Sequence, residues 1–382
     1  MDYESLLKYC RTTRQELLVC LEKAVKIESP THSKPHVDRL ARYFAGRFQE
    51  LGGKVQLLRN PSAGSAVCAE FWGRAGRQEG SKPILILGHL DTVWDVGTLR
   101  RMPFRVSGGR AYGPGIFDMK SGIVCGLWAV RALRAVGIDP KSPVRFFLNS
   151  DEETSSVAFR KELLREARQA RAVLVLEPAA AGGALKTARK GVGEFRLTVH
   201  GRAAHAGINP AAGVNAIDEL ARQLLRVAKF AEPRRGLTVT VGMIEGGTRP
   251  NVVPAWASAR IDVRIPRSGD RLTIERKMRG LKPIDPRARL EIEGGINRPP
   301  LERAMARDLF HLARKLGKRM GMELQEASTG GGSDGNFTAA LGVPTLDGLG
   351  GVGDGAHALH EHVVIRELPH RAALIAALIA TL

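Results

Sequence analysis

Acidic residues are the scarce class in this chain: 39 Asp and Glu stand against 58 Lys and Arg, a formal net charge of +19. Such an excess raises the question of nucleic acid, because Lys and Arg release counterions from phosphates. A second scarcity argues against that role. Aromatics make up only 5% of the residues, too few to interleave with the cations as stacking platforms. The basic residues Arg131, Arg134, Arg160, Arg165, Arg168 and Arg171 are also spread along helical stretches rather than gathered in one block. A solvated basic surface that attracts small anions is expected, with no nucleic-acid partner. Cysteine is rare as well: Cys10, Cys20, Cys68 and Cys125 lie far apart with no Cys-x-x-Cys pair. Zinc ribbons and redox dithiols are excluded, so any metal must be held by histidine and carboxylate. No apolar run is long enough to cross a bilayer. The opening residues carry Asp2 and Glu4 where a secretory leader would be basic and then apolar, so a cytoplasmic protein without a membrane partner is expected.

The length of 382 residues exceeds what one hydrophobic core organises, and two domains are expected. Helical spacing runs over 3–27 and 35–51. Short continuous apolar runs at 84–87, 144–148 and 173–176 read as buried strands, and a helix from Ser121 stops near Gly137. This alternation indicates an α/β sheet. From about 190 the pattern changes: Phe195, Leu197 and Val199 alternate with polar residues, and a helix follows at 210–230. Strands at 237–244 and 256–265, a helix at 270–280 and a strand at 287–293 complete a β-α-β-β-α-β order, the split ferredoxin-like pattern. The expected organisation is therefore a first domain of 1–188 and 298–382 interrupted by an inserted domain of 189–297.

Three of the buried strands end in metal-type side chains: His89 with Asp91, then Asp151, Glu152 and Glu153, then Glu177. Ligand sites in open α/β sheets lie outside the carboxyl ends of strands, so these distant segments have a place to converge. Singly, each has a plainer reading as a solvated turn residue. His89 and Asp91 are two apart, which in extended backbone turns both to one face, the carboxylate then orienting the imidazole. Asp118 stands between Gly115 and Gly122, either as a ligand or as a helix cap. In 261–265 the apolar residues share one face of a strand, and Arg264 shares the other with Arg260 and Asp262. Its fork suits a carboxylate, although solvated charge is the ordinary reading. Gly332 and Ser333, in a glycine run, are either a flexible loop or a set of backbone N–H donors for the same anion.

Eight segments resemble, in order, the signatures of the M20 metallopeptidases, in particular their carboxypeptidase G2 (glutamate carboxypeptidase) branch. They are Gly88–Val93, Phe117–Gly122, Asp151–Glu153, Leu176–Pro178, Gly201–Gly207, Arg249–Pro254, Asp262–Arg264 and Gly330–Gly335. The resemblance implies a mixed-sheet, zinc-exopeptidase-like catalytic domain with an inserted ferredoxin-like α+β lid and dimerisation domain. It implies two zinc ions, with cobalt or manganese as substitutes, bridged by Asp118. His89 and Glu177 complete one ion; Glu153 and His357 complete the other. His357 is selected over His360 and His362 because it precedes Glu361 by four residues. Glu152 would be the proton shuttle, Asp91 the support of His89, and His205 an oxyanion donor. Asn251, Arg264, Gly332 and Ser333 would contact substrate. The implied reaction is attack by a metal-bridging hydroxide on the amide bond between an acyl or peptidyl group and a C-terminal amino acid, glutamate for example. The implied partner is a second copy of the chain, paired through the inserted domain. An N-acyl-amino-acid deacylase with the same metal core is the rival activity, and a non-catalytic basic binding protein the rival of another class.

Overall fold

A computed structural model describes residues 3–71 and 82–382. Internal contacts divide the chain into two units, one of Met1–Ala188, Arg303–Thr329 and Ser333–Leu382, the other of Arg189–Glu302 and Gly330–Gly332. The return to the first unit falls later than the expected 297, because the last strand of the second unit runs over Arg289–Arg298. That Gly330–Gly332 belongs to the second unit is a tertiary fact with no trace in chain order.

In the first unit a six-stranded sheet runs in the order Lys54–Leu58, Ala66–Phe71, Val144–Asn149, Ile84–His89, Ala172–Val175, Thr345–Leu346. The last four strands are mutually parallel and the first two antiparallel. Ile84–His89 is buried at every position, which is why its first four residues read as an unbroken apolar run rather than an alternation. Register aligns Ile84 with Val144 on one side and with Ala172 on the other. The three strands therefore deliver His89, the Asp151–Glu153 turn and Glu177 to one edge of the sheet. The helix Ser121–Val136 starts just past Asp118. A Cβ on Gly122 would lie 1.9 Å from the Leu176 carbonyl oxygen, so only glycine lets the helix start approach the strand end. This helix stops at Gly137, which is left-handed, as expected. The final helix, Leu368–Thr381, is apolar nearly all round and buried to match. The expected helix over 3–27 is two, Tyr3–Thr12 and Arg14–Lys26. A small sheet of Arg105–Ser107, Arg110–Tyr112, His362–Val364 and Gly353–Asp354 carries the 355–361 loop.

The second unit is a four-stranded antiparallel sheet in the order Thr238–Gly246, Trp256–Ile265, Gly191–His200, Arg289–Arg298, with helices Ala216–Ala228 and Asp270–Arg279. Phe195, Leu197, Val199, Ala259, Ile261 and Val263 form its core with Leu220, Val227, Ile274 and Met278 from the helices. The first helix begins at Ala216 rather than 210. Asn215 caps it by accepting the Ile217 and Asp218 N–H groups, and Pro210 instead starts a short 3-10 turn.

Candidate metal centre and active site

His89 ends the central strand, and its Nδ1 donates to the Asp91 carbonyl oxygen at 2.9 Å. A carbonyl only accepts, so Nδ1 carries the proton and Nε2 faces the site. Nε2 lies 3.2 Å from Asp118 Oδ1 and 3.6 Å from Glu177 Oε1. The Asp91 carboxylate stands on the same side of the ring, Oδ1 3.5 Å from Nδ1, but the shorter bond to the ring is the one from its own main-chain oxygen. Fully buried, it accepts the Glu152 N–H at 3.2 Å, the Glu153 N–H at 3.1 Å and the Thr31 hydroxyl at 2.8 Å. Its main-chain oxygen holds His89, and its side chain holds the turn that presents the two glutamates.

Asp118 is the centre of the arrangement. While Oδ1 faces His89, Oδ2 lies 3.4 Å from His357 Nε2, and that same Nε2 is 3.4 Å from Glu153 Oε1. His89, Glu152 and Glu177 form one cluster with ligand atoms within 4.8 Å of one another, and His89, Asp118 and Glu153 form a second. Burial alone would lower the His89 imidazolium pKa, but the carboxylates of Asp118 and Asp91 outweigh it and hold it well above the ordinary value. Hydrogen bonds to Asp118 and Glu153 raise His357 to about 10. Burial would raise the Asp118 carboxyl, yet His357 and His89 hold it well below the usual carboxylate range, while burial pushes Glu153 up. Even with both imidazoles protonated, the carboxylates of Asp118, Glu152, Glu153 and Glu177 outnumber the positive charges among them. Glu153 Oε1 is buried and, among the described residues, has no well-formed hydrogen bond beyond the 3.4 Å approach of His357 Nε2. Such an oxygen-rich, histidine-containing cluster is the donor set divalent cations satisfy. These residues fit a pair of metal ions.

Glu361, in sequence no more than a spacing marker for His357, is a structural centre. Glu361 is fully buried. Its Oε1 accepts the N–H groups of Phe117 and Asp118 at 2.8 and 3.1 Å; Oε2 accepts those of Gly115 and the Trp94 indole at 2.9 and 2.8 Å. The four-residue spacing from His357 was the available signal. Of the other late histidines, His360 is exposed, and His362 is turned away into the small sheet beside Tyr112, bonded through Nδ1 to the His360 carbonyl.

The remaining candidates lie elsewhere in the chain. In the second unit His205 is exposed, and its Nδ1 accepts the Gly207 and Ile208 N–H groups, both at 3.1 Å. The neutral ring therefore keeps its proton on Nε2. Asn251 is tied to the same turn, its carbonyl accepting the Ala206 N–H. Arg264 already grips a carboxylate: Nε and Nη2 donate to Asp262 at 2.9 and 2.8 Å, and Nη1 donates to the Gly330 carbonyl at 3.4 Å. Arg189 binds the Gly331 and Gly332 carbonyls, so the glycine run is fixed through its oxygens. A Cβ at Gly332 would meet Arg298 Cδ at 2.7 Å. Ser333, in the first unit, is fully buried; its hydroxyl donates to Asp347 at 2.6 Å and its N–H to Asn336 at 3.0 Å. Its polar groups serve the fold, which argues against the expected substrate contact.

With this geometry in hand, comparison with known proteins gives consistent results. The model of peptidase family M20/M25/M40 matches residues 85–381. Carboxypeptidase G2 of Pseudomonas sp. (strain RS-16) is 31% identical over 394 residues, 99% of this chain and 92% of that protein. A succinyl-diaminopimelate desuccinylase of Dechloromonas aromatica is 26% identical, covering 86% of this chain and 89% of the relative. Among solved structures, aminopeptidase PepT of Bacillus cereus superimposes with a TM-score of 0.77 at 20% identity, covering 96% of this chain and 98% of that one. An M20 metallo-carboxypeptidase of Sulfolobus solfataricus gives 0.73 at 17% identity over the same shares. Together with the histidine and carboxylate cluster at the strand ends, a family match that begins in the central strand and reaches the final helix leaves one assignment: this chain belongs to the M20/M25/M40 family of metal-dependent peptidases.

Proposed function

We propose that the chain is a two-zinc carboxypeptidase that cleaves the amide bond joining an acyl or peptidyl group to a C-terminal amino acid, with glutamate as the released residue. The observation that carries this reading is the aspartate whose two oxygens face two different histidines, His89 at 3.2 Å and His357 at 3.4 Å. Glu177 joins the first side and Glu153 the second. Two divalent cations bound there supply Lewis acidity to the scissile carbonyl and acidify the attacking water. Cobalt and manganese suit the same donors. Glu152 takes the proton of that water on a carboxylate oxygen and passes it to the departing nitrogen. Its turn is held for this by the Asp91 carboxylate. His205, whose ring carries its proton on Nε2, stabilises the developing oxyanion. Arg264 receives the terminal carboxylate of the substrate in exchange for Asp262, beside Asn251 and Gly332.

The inserted unit is proposed to act as lid and dimer contact. Its edge strand Thr238–Gly246 exposes Met243 and Ile244 by 60% and 63%, an apolar edge of the kind a second copy covers. Likeness to a desuccinylase favours a second reading, hydrolysis of N-acyl amino acids by the same residues. The test is a hydrolysis screen on chelated and zinc-restored protein and on Glu152→Ala. N-acyl-glutamates and dipeptides should be cleaved by the restored protein, and Glu152→Ala should lose about 10²–10⁴-fold in kcat. Preference for N-acetyl amino acids would select the deacylase, and no turnover with any metal would reject both.

A further inference from the structure

Glu361 spends a whole carboxylate on main-chain and indole donors rather than on any ligand, at a fully buried position. Burying a carboxylate is unfavourable unless it is fully hydrogen-bonded, and here four N–H donors meet its two oxygens. Three of them, Gly115, Phe117 and Asp118, belong to the segment that presents Asp118. On its own side Glu361 closes a turn. Its N–H donates to the Ala358 carbonyl, the Ala358 N–H donates to Gly355, and His357 between them takes a left-handed φ of 63°. One side chain thus ties two segments about 240 residues apart in sequence, each of which supplies a candidate ligand.

We infer that Glu361 is a positioning residue that registers the Asp118 segment against the His357 turn and so sets the affinity and geometry of the cation pair. The inference rests on the two-cation reading of the site. Glutamine is the discriminating replacement because it keeps the shape and reverses half of the hydrogen-bonding sense. Phe117 and Asp118 share one oxygen, and Gly115 and Trp94 share the other. Whichever way the amide turns, its NH₂ confronts two N–H donors. Trp94→Phe removes only one donor and leaves the carboxylate with three.

The experiment is a cobalt titration of metal-free protein, followed by the visible absorption of the bound ion, with unfolding of each metal-free variant recorded in parallel. Wild type should take up two ions. Glu361→Gln should bind 10- to 100-fold more weakly, the range found when groups supporting metal ligands are changed, with an altered cobalt spectrum. Trp94→Phe should bind within a few-fold of wild type. A Glu361→Gln protein that is less stable but binds cobalt with wild-type affinity and spectrum overturns the inference, since that is the behaviour of a merely structural residue. Should the variant not fold, hydrogen exchange on wild type decides: protected Phe117 and Asp118 amides in the metal-free protein support the inference, and loop-like exchange there overturns it. If wild type itself fails to bind two ions, the reading of the site fails first, and this inference with it.

Discussion

Replacing Asp91 with asparagine isolates the support of the catalytic turn from the turn itself. The carboxylate is inaccessible and accepts three hydrogen bonds, one to Oδ1 from the Glu152 N–H and two to Oδ2, from the Glu153 N–H and the Thr31 hydroxyl. In Asp91→Asn the better orientation keeps the oxygen at the Oδ2 position. Two bonds survive, and the Glu152 N–H faces an amide NH₂. A buried donor left without its acceptor costs about 1–3 kcal/mol, so the unfolding free energy should fall by that amount, seen as a lower urea midpoint with an unchanged m-value. The Nδ1 bond of His89 goes to the Asp91 carbonyl and is untouched by the change. Ion affinity should therefore fall much less than kcat, which should drop about 10²-fold as Glu152 leaves its position. Wild-type unfolding and kcat in Asp91→Asn would refute the reasoning. So would a loss confined to metal affinity, which would return the support of His89 to the carboxylate.

Other outcomes follow from single observations. Gly122→Ala sets a Cβ 1.9 Å from the Leu176 carbonyl oxygen, a backbone clash that no side-chain rotation relieves, and should yield little soluble protein; normal yield and stability would show that the helix start has room. Arg264→Ala should raise KM by about 10- to 100-fold with kcat nearly constant, the worth of one charge-assisted carboxylate contact; an equal fall in kcat would place Arg264 in the chemistry instead. The carboxylates raise His89 and His357 above their ordinary value, His357 to about 10, so the metal-free protein holds its protons there more tightly than free histidine does. Those protons stabilise the metal-free fold fully below about pH 6.5, and their contribution fades as pH climbs towards about 10. Metal uptake must expel them. Calorimetric heats of zinc binding at pH 7 should then depend on the ionisation enthalpy of the buffer, and affinity should rise with pH; buffer-independent heats would contradict this.

What was legible in the sequence was whatever depends on near neighbours. The continuous apolar run at 84–87 and the alternation of Phe195, Leu197 and Val199 report burial on two faces or one, and the resulting elements lie where those patterns put them. Ligand-type residues at three strand ends were visible for the same reason, and parallel register turns that coincidence into proximity. The misses concern groups whose partners are remote in the chain. Nothing near Glu361 announces that it serves Gly115, Phe117 and Asp118. Spacing put Asp91 and His89 on one face but did not distinguish a main-chain oxygen from a carboxylate as the partner of the ring. Ser333 reads as an exposed loop residue by composition, and only the tertiary structure shows its hydroxyl given to Asp347.

The convergence of His89, Asp118, Glu153, Glu177 and His357 on a pair of cations is tested most directly by anomalous diffraction from crystals of this protein grown with zinc, recorded on both sides of the zinc edge. Two peaks about 3.5–4 Å apart, one on each side of the Asp118 carboxylate, are the expected result. A single peak, or zinc bound only at surface histidines, would contradict the two-ion centre.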